Sequence, residues 1–185
     1  MAAMRDSVWR VRELALQGVA RNQMSQAIPA VKYKAERDPE ERVRAQAFKT
    51  LAQLPGAEAA GFLEEYVLNT DNPTGDRIAA ADALIEHRLS ESVGTLEELV
   101  EQQWTVRQSQ LLGFVARSLA RKEEPALGDL YARFLTHPDP GVQVFGLRGI
   151  ATNGITAMKE RVEEKTDEGN HPAVRQNAEA VLEQL

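Results

Sequence analysis

The sequence predicts an all-α protein: a right-handed superhelix of stacked antiparallel helix pairs, one domain over residues 1–185. Three observations predict it. A nine-residue helical motif recurs six times at nearly constant spacing. Ala and Leu dominate the apolar content while aromatics are only 5 %, which favours helix over sheet. Shorter amphipathic stretches fill the intervals between motif copies, so each repeat is a helix pair that must stack on its neighbours to bury its apolar face.

The motif is Val-Arg-x-x-Ala-x-x-x-Leu. Its clearest copies are Val43-Arg44…Ala47…Leu51 and Val174-Arg175…Ala178…Leu182. Looser ones are Val11-Arg12…Ala15…Val19 and Val106-Arg107…Gln110…Phe114, and degenerate ones are Asp76-Arg77…Ala80…Leu84 and Val142-Gln143…Gly146…Ile150. Their first positions are separated by 32, 33, 30, 36 and 32 residues. Positions 0, +4 and +8 fall along one helical stripe. The usually small residue at +4 lets a neighbouring helix approach closely. These copies predict the second helix of each repeat near 6–21, 38–53, 71–88, 102–120, 139–152 and 171–184. The acidic residues Asp6, Asp38, Asp71 and Glu101, five residues ahead of the first position, suit a helix N-terminus. Pro39, Pro73, Pro140 and Pro172 fit a first turn. The first helices of the pairs are expected at Ser25–Arg37, Ala57–Leu68, Ser92–Gln102, Pro125–Thr136 and Thr156–Thr166, about eleven helices in all.

The repeated Asp-Pro…Val-Arg-x-x-Ala-x-x-x-Leu segments, with Ala27-Ile28-Pro29-Ala30-Val31, resemble the HEAT-like repeat family, most closely its short variant named after phycobilisome lyases. The resemblance spans the whole chain. It implies a surface for holding other proteins, and it implies that the motif Arg (Arg12, Arg44, Arg77, Arg107, Arg175) pairs with the turn Asp of its own or the adjacent repeat. Trp9 and Trp104 share the local motif Trp-x-Val-Arg, which points to duplication of a three-repeat block and to packing against the preceding helix.

Composition narrows the function. Without cysteine there is no disulfide, no thiolate zinc site and no cysteine nucleophile. No apolar run is long enough to span a membrane, and the opening residues hold no secretory signal, so the expected setting is cytoplasmic. The net charge of −6 argues against nucleic acid as partner. The charge is uneven: residues 1–50 hold 10 basic and 6 acidic side chains, and the remainder is net −10. None of His87, His137 and His171 is followed by Glu, so the His-Glu ligand pairs of the di-iron branch of such repeats are missing. His137-Pro138 and His171-Pro172 sit where the family places Asp-Pro and read as turn residues. No phosphate loop and no His-Glu-x-x-His segment occurs. The expectation is a protein that is not an enzyme, with no metal and no cofactor.

Helical projection at about 100° per residue places positions +2, +6 and +9 away from the core stripe, on the concave surface. The end copies there are polar or small. The middle copies supply Ile78, Asp82, Ile85, Leu112, Val115, Val144 and Arg148, which predicts an apolar groove for a partner helix or peptide. Six second helices but five first helices leave the first one, with Val11, Ala15 and Val19, uncovered at the start of the array. That predicts the carboxy-terminal part of a longer protein, or self-association through the first helix. The leading function is therefore a non-catalytic scaffold gripping a protein or peptide on its concave face. The alternative is the C-terminal helical accessory domain of a larger enzyme such as a zinc aminopeptidase, some of which end in a module with similar Trp-x-Val-Arg segments. A phycobilin-lyase-type subunit rests on the repeat type alone.

Overall fold

A computed structural model describes residues 2–185 of the 185-residue chain. Its described residues form eleven α-helices and short 3-10 turns, with no strand. Contacts gather into two compact units, one up to Thr95 and one from Leu96 to Leu185. Each unit is a stack of helix pairs.

The second helices of the repeats are α1 (Trp9–Arg21), α3 (Glu41–Gln53), α5 (Thr74–His87), α7 (Gln110–Leu119), α9 (Pro140–Thr152) and α11 (Pro172–Leu182). The first helices are α2 (Ile28–Arg37), α4 (Ala57–Leu68), α6 (Leu89–Gln103), α8 (Gly128–Phe134) and α10 (Lys159–Glu163). Five of the six motif copies lie in their expected helices. The fourth does not: Val106 and Arg107 belong to the turn ahead of α7 and are exposed. In α7 the buried stripe is Leu111, Val115 and Leu119. The motif there is displaced by five residues, because Ser109 caps the helix by accepting a hydrogen bond from Leu112 N–H, 3.1 Å away.

The caps also differ from the expected set. Asp139 and His171 do cap, accepting from the N–H groups of Gly141 (2.7 Å) and Ala173 (3.2 Å). Pro140 and Pro172 open α9 and α11, where a missing N–H has no consequence. Asp6 and Asp38 instead sit two residues ahead of the cap and close turns onto Val8 and Glu40 N–H. Asp71 and Glu101 cap nothing: Asp71 donates its own N–H to Asn69, and Glu101 lies inside α6.

Unit 1 packs α1, α3 and α5 side by side with α2 and α4 behind. Its core holds Leu16, Val31, Val43, Phe48, Leu51, Leu63 and Leu84. Unit 2 packs α7, α9 and α11, with α8 seated on α9. That seat depends on two glycines. A Cβ on Gly149 would stand 2.3 Å from the Tyr131 ring, and one on Gly146 would stand 2.9 Å from Phe134 Cβ. Gly146 occupies motif position +4, so its small size serves the close approach that the repeat pattern anticipates. Tyr131 is fully buried and donates to Leu119 C=O at 2.8 Å.

Candidate functional site

The motif arginines hold successive layers of unit 1 together. Arg12 donates from Nε and one terminal nitrogen to both Asp38 oxygens, at 2.8 and 2.7 Å, and from the other to Asp6 C=O at 2.9 Å. Arg44 repeats the arrangement one layer on, with Nε to Asp76 at 2.9–3.0 Å and a terminal nitrogen to Asp38 C=O at 3.0 Å. Here the acceptor is Asp76, at motif position 0 on α5, in place of a turn Asp. Burial raises the Asp38 pKa, but the hydrogen bonds from Arg12, Lys34 and Glu40 N–H outweigh it and leave the carboxyl below its ordinary range. Arg77 instead donates to Val67 C=O at 2.8 Å, and burial lowers its pKa. Arg107 stands outside the ladder, in the turn. In unit 2, Gln143 occupies the arginine position and donates to His137 C=O at 2.6 Å.

The two tryptophans are not equivalent. Trp9 opens α1, half-buried, with Arg10 and Arg42 guanidinium groups 5.1 and 5.4 Å from its ring centre. Trp104 lies in the turn after α6, under Arg133 at 4.4 Å and edge-on to His137 at 4.7 Å. Buried His137 does in unit 2 what Asp38 does in unit 1. Its Nδ1 accepts from Asp139 N–H at 3.0 Å, which leaves Nε2 to donate toward Trp104 C=O at 3.3 Å. The two histidine-proline turns are thus structural turn and cap sites. Among the described residues no three His, Asp or Glu side chains are grouped to hold a metal.

The seven residues expected on the partner surface separate by position. Ile85, Leu112 and Val115 are buried in their units, and Val144 is 9 % exposed. Ile78 is half-buried, while Asp82 and Arg148 are exposed. The apolar groove predicted from helical projection is therefore packed core. Leu112 and Val115 were placed by the displaced register of the fourth copy. Ile85 shows the general reason. A second helix is covered by its own first helix and by its neighbours, so position +9 lies at the covered edge: Ala20, Ala52 and Ile85 are all buried. Position +6 faces the open side, exposed at Lys49, Asp82 and Arg148 and half-buried at Gln17. In unit 1 it is Gln17, Lys49 and Asp82. In unit 2 it is Arg148 and, with the register of α7 corrected, Arg117.

These +6 positions line grooves on the second-helix side of each unit. In unit 1 a groove of about 890 Å³ runs over Gln17, Arg21, Gln46, Lys49, Gln53 and His87. A smaller concavity of about 370 Å³ shares Gln46, Lys49 and His87 and adds Glu13, Arg42 and Asp82. Gln17 and Gln46 touch amide to amide at 3.4 Å, and Gln46 reaches Thr50 at the same distance. Bonds that long are weak and exchange readily. In unit 2 a groove of about 770 Å³ is lined by Arg117, Arg121, Phe145, Arg148, Asn177 and Gln184, among others. Both grooves fall in the size range of ligand sites.

Residues 1–85 match the family model for HEAT repeats. That part of the chain is similar to HEAT repeats. HEAT repeats form helical scaffolds that generally mediate protein interactions. The match lies within unit 1, and the same motif in α9 and α11 continues the pattern in unit 2. No curated protein matches the chain. Among the described residues no helix is long and apolar enough to cross a membrane.

Proposed function

We propose that this chain is a non-catalytic scaffold that holds a protein or peptide partner against the second-helix face of its units. The observation that carries the reading is the behaviour of motif position +6. At Gln17, Lys49, Asp82, Arg117 and Arg148 the chain presents long polar side chains into grooves, while the positions around them are consumed by packing. Polar side chains held at fixed spacing on rigid helices suit recognition by a partner. The expected apolar grip on Ile85, Leu112, Val115 and Val144 is replaced by a polar one on the solvent-facing positions.

The test is capture of a partner by the full chain, with Lys49→Glu/Asp82→Lys altering the unit 1 groove and Arg148→Glu the unit 2 groove. All three sites are exposed, so the variants keep wild-type helicity and melting. Loss of a defined partner by either folded variant supports the face. A partner that both variants retain at wild-type affinity removes this face from the proposal.

A specific observation favours self-association as a second reading. Three of the four large apolar or aromatic side chains that stand exposed among the described residues, Val8, Leu14 (63 %) and Tyr33 (63 %), belong to the first layer of unit 1. Leu14 lies on α1 opposite the buried Arg12, Leu16 and Val19. A mass measurement on wild type and Leu14→Glu separates the cases. A dimer lost in the variant supports self-association, and a monomeric wild type excludes it.

A further inference from the structure

From the groove of unit 2 we infer a binding site for an acidic peptide segment, an inference that rests on the scaffold reading and names the class of partner. Residues 96–185 hold 10 basic and 14 acidic side chains, so the unit as a whole is anionic. Against that background the groove between α7, α9 and α11 is lined by three arginines and by no carboxylate. Arg117 lies in the last turn of α7 and Arg121 in the turn that follows the helix, and both line the groove. Arg148 projects from the corresponding position of α9. All three are exposed.

The guanidinium groups are almost unused. None of the three forms a salt bridge among the described residues. Arg148 makes one long contact, Nε to Asn177 Oδ1 at 3.3 Å, and Arg117 lies 5.9 Å from the Phe114 ring centre. Elsewhere the chain pairs its arginines closely, as at Arg12–Asp38 and Arg44–Asp76. Three unpaired guanidinium forks around one groove, in a unit with surplus acid, are complementary to carboxylates, which each fork binds through two parallel hydrogen bonds. Phe145, half-buried in the lining, and Ala120, Ala151 and Ala180 give an apolar floor. Asn177 and Gln184 offer amide donors and acceptors for a peptide backbone. The occupant that fits is a segment with Asp or Glu on both sides of an apolar residue. A nucleic acid backbone fits poorly, since one three-arginine groove in an anionic unit gives no track for successive phosphates.

The test uses the full chain and a fluorescein-labelled peptide with Glu pairs flanking a central Leu, followed by anisotropy and by the side-chain Nε–H NMR signals of Arg117, Arg121 and Arg148. The Gln-for-Glu version of the same peptide, inorganic phosphate and a single-stranded oligonucleotide are the comparison probes. The acidic peptide is expected to bind at least about tenfold more tightly than its amide version, to weaken with salt, and to shift those three Nε–H signals. Arg117→Gln/Arg121→Gln/Arg148→Gln should lower affinity by about 100-fold. Arg161→Gln/Lys165→Gln/Arg175→Gln, which removes the same charge outside the groove, should lower it less than threefold.

Equal binding of the acidic and amide peptides overturns the inference, as does equal loss in the two triple variants. Displacement of the peptide by phosphate at equal concentration, or tighter binding of the oligonucleotide, assigns the groove to phosphate and overturns it too. A chain that captures a partner in the scaffold test, yet shows none of this peptide binding, loses the acidic-segment site and keeps the scaffold reading.

Discussion

Replacing Asp38 with Asn tests the claim that the arginine ladder fastens the first two layers of unit 1. The substitution keeps the shape and removes the charge. The Asp38 side chain is fully buried and Arg12 is 8 % exposed, so solvent screening is slight. Asp38 accepts two hydrogen bonds from Arg12 at 2.7 and 2.8 Å, one from Lys34 at 2.9 Å and one from Glu40 N–H at 3.1 Å. Asn retains an oxygen for Glu40 but turns an NH2 group toward two cations. Removing one partner of a buried pair costs about 3–5 kcal/mol. Arg12 still donates to Asp6 and Ser7 C=O, at 2.9 and 3.2 Å, so the lower end, about 3 kcal/mol, is expected. The assay is urea denaturation of wild type and Asp38→Asn at neutral pH and through the acid range. The Asp38 carboxyl titrates below its ordinary value in the folded chain. Its contribution is therefore complete above pH of about 4 and disappears as pH falls through the depressed folded value. The gap between the two proteins should close over that window. A gap below about 1 kcal/mol at neutral pH, or one that stays constant into acid, would refute the ladder as an energetic fastening.

Three further outcomes are expected. Gly149→Ala should destabilise unit 2 by about 1–3 kcal/mol in thermal or urea melts despite the better helix propensity of Ala, because its Cβ meets the Tyr131 ring at 2.3 Å; an unchanged melt would mean that Tyr131 moves freely. Burial pushes the Tyr131 hydroxyl up to about 12, so its share of stability is complete below pH of about 10 and is lost between there and pH 12; Tyr131→Phe should flatten the alkaline loss seen in wild type, and an identical alkaline profile would contradict this. Leu112→Asp buries a carboxylate in the core and should unfold unit 2 or cost at least about 3 kcal/mol by circular dichroism melts, while Arg148→Glu should stay within about 0.5 kcal/mol of wild type; equal effects would undo the assignment of one residue to the core and the other to the surface.

Most of the architecture was legible because the repeat is written into local chemistry. Val43, Ala47 and Leu51 lie on one helical stripe whatever surrounds them, and Ala57–Leu68 opens after a glycine and closes before Asn69 in sequence and structure alike. Errors arose where one local signal outbid another. Val106-Arg107 matches the motif, but Ser109 is the better cap, so α7 starts three residues beyond the matching pair. His137 carries no label for a turn acceptor. Its role was legible only as a substitution for Asp in a recurring His-Pro or Asp-Pro position.

The solvent-facing side of the second helices was less legible than the fold, for a geometric reason. A helical wheel ranks positions by angle from one core stripe, which suffices for a helix with a single buried side. Each second helix here is covered on several sides, and the width of that cover is set by neighbours distant in sequence. The projection placed Asp82 and Arg148 in solvent, where the structure has them, because +6 lies near the centre of the open arc. It misassigned Ile85 because +9 lies at the arc's edge. Arg117 was missed through the displaced register of α7, and Arg121 because it lies in the turn after that helix.

The amino-acid sequence by itself determined that the chain is helical, where its repeats fall, which small residues admit a neighbouring helix and that no thiol chemistry is available. Periodicity, capping and composition act over a few residues and survive without context. The tertiary structure decided which side of each second helix meets solvent, which arginines are spent on layer-to-layer pairing and which remain unpaired around a groove. Those outcomes depend on distances between residues about 30 positions apart, such as Arg12 and Asp38 or Arg148 and Asn177, and only the packed chain brings such pairs together.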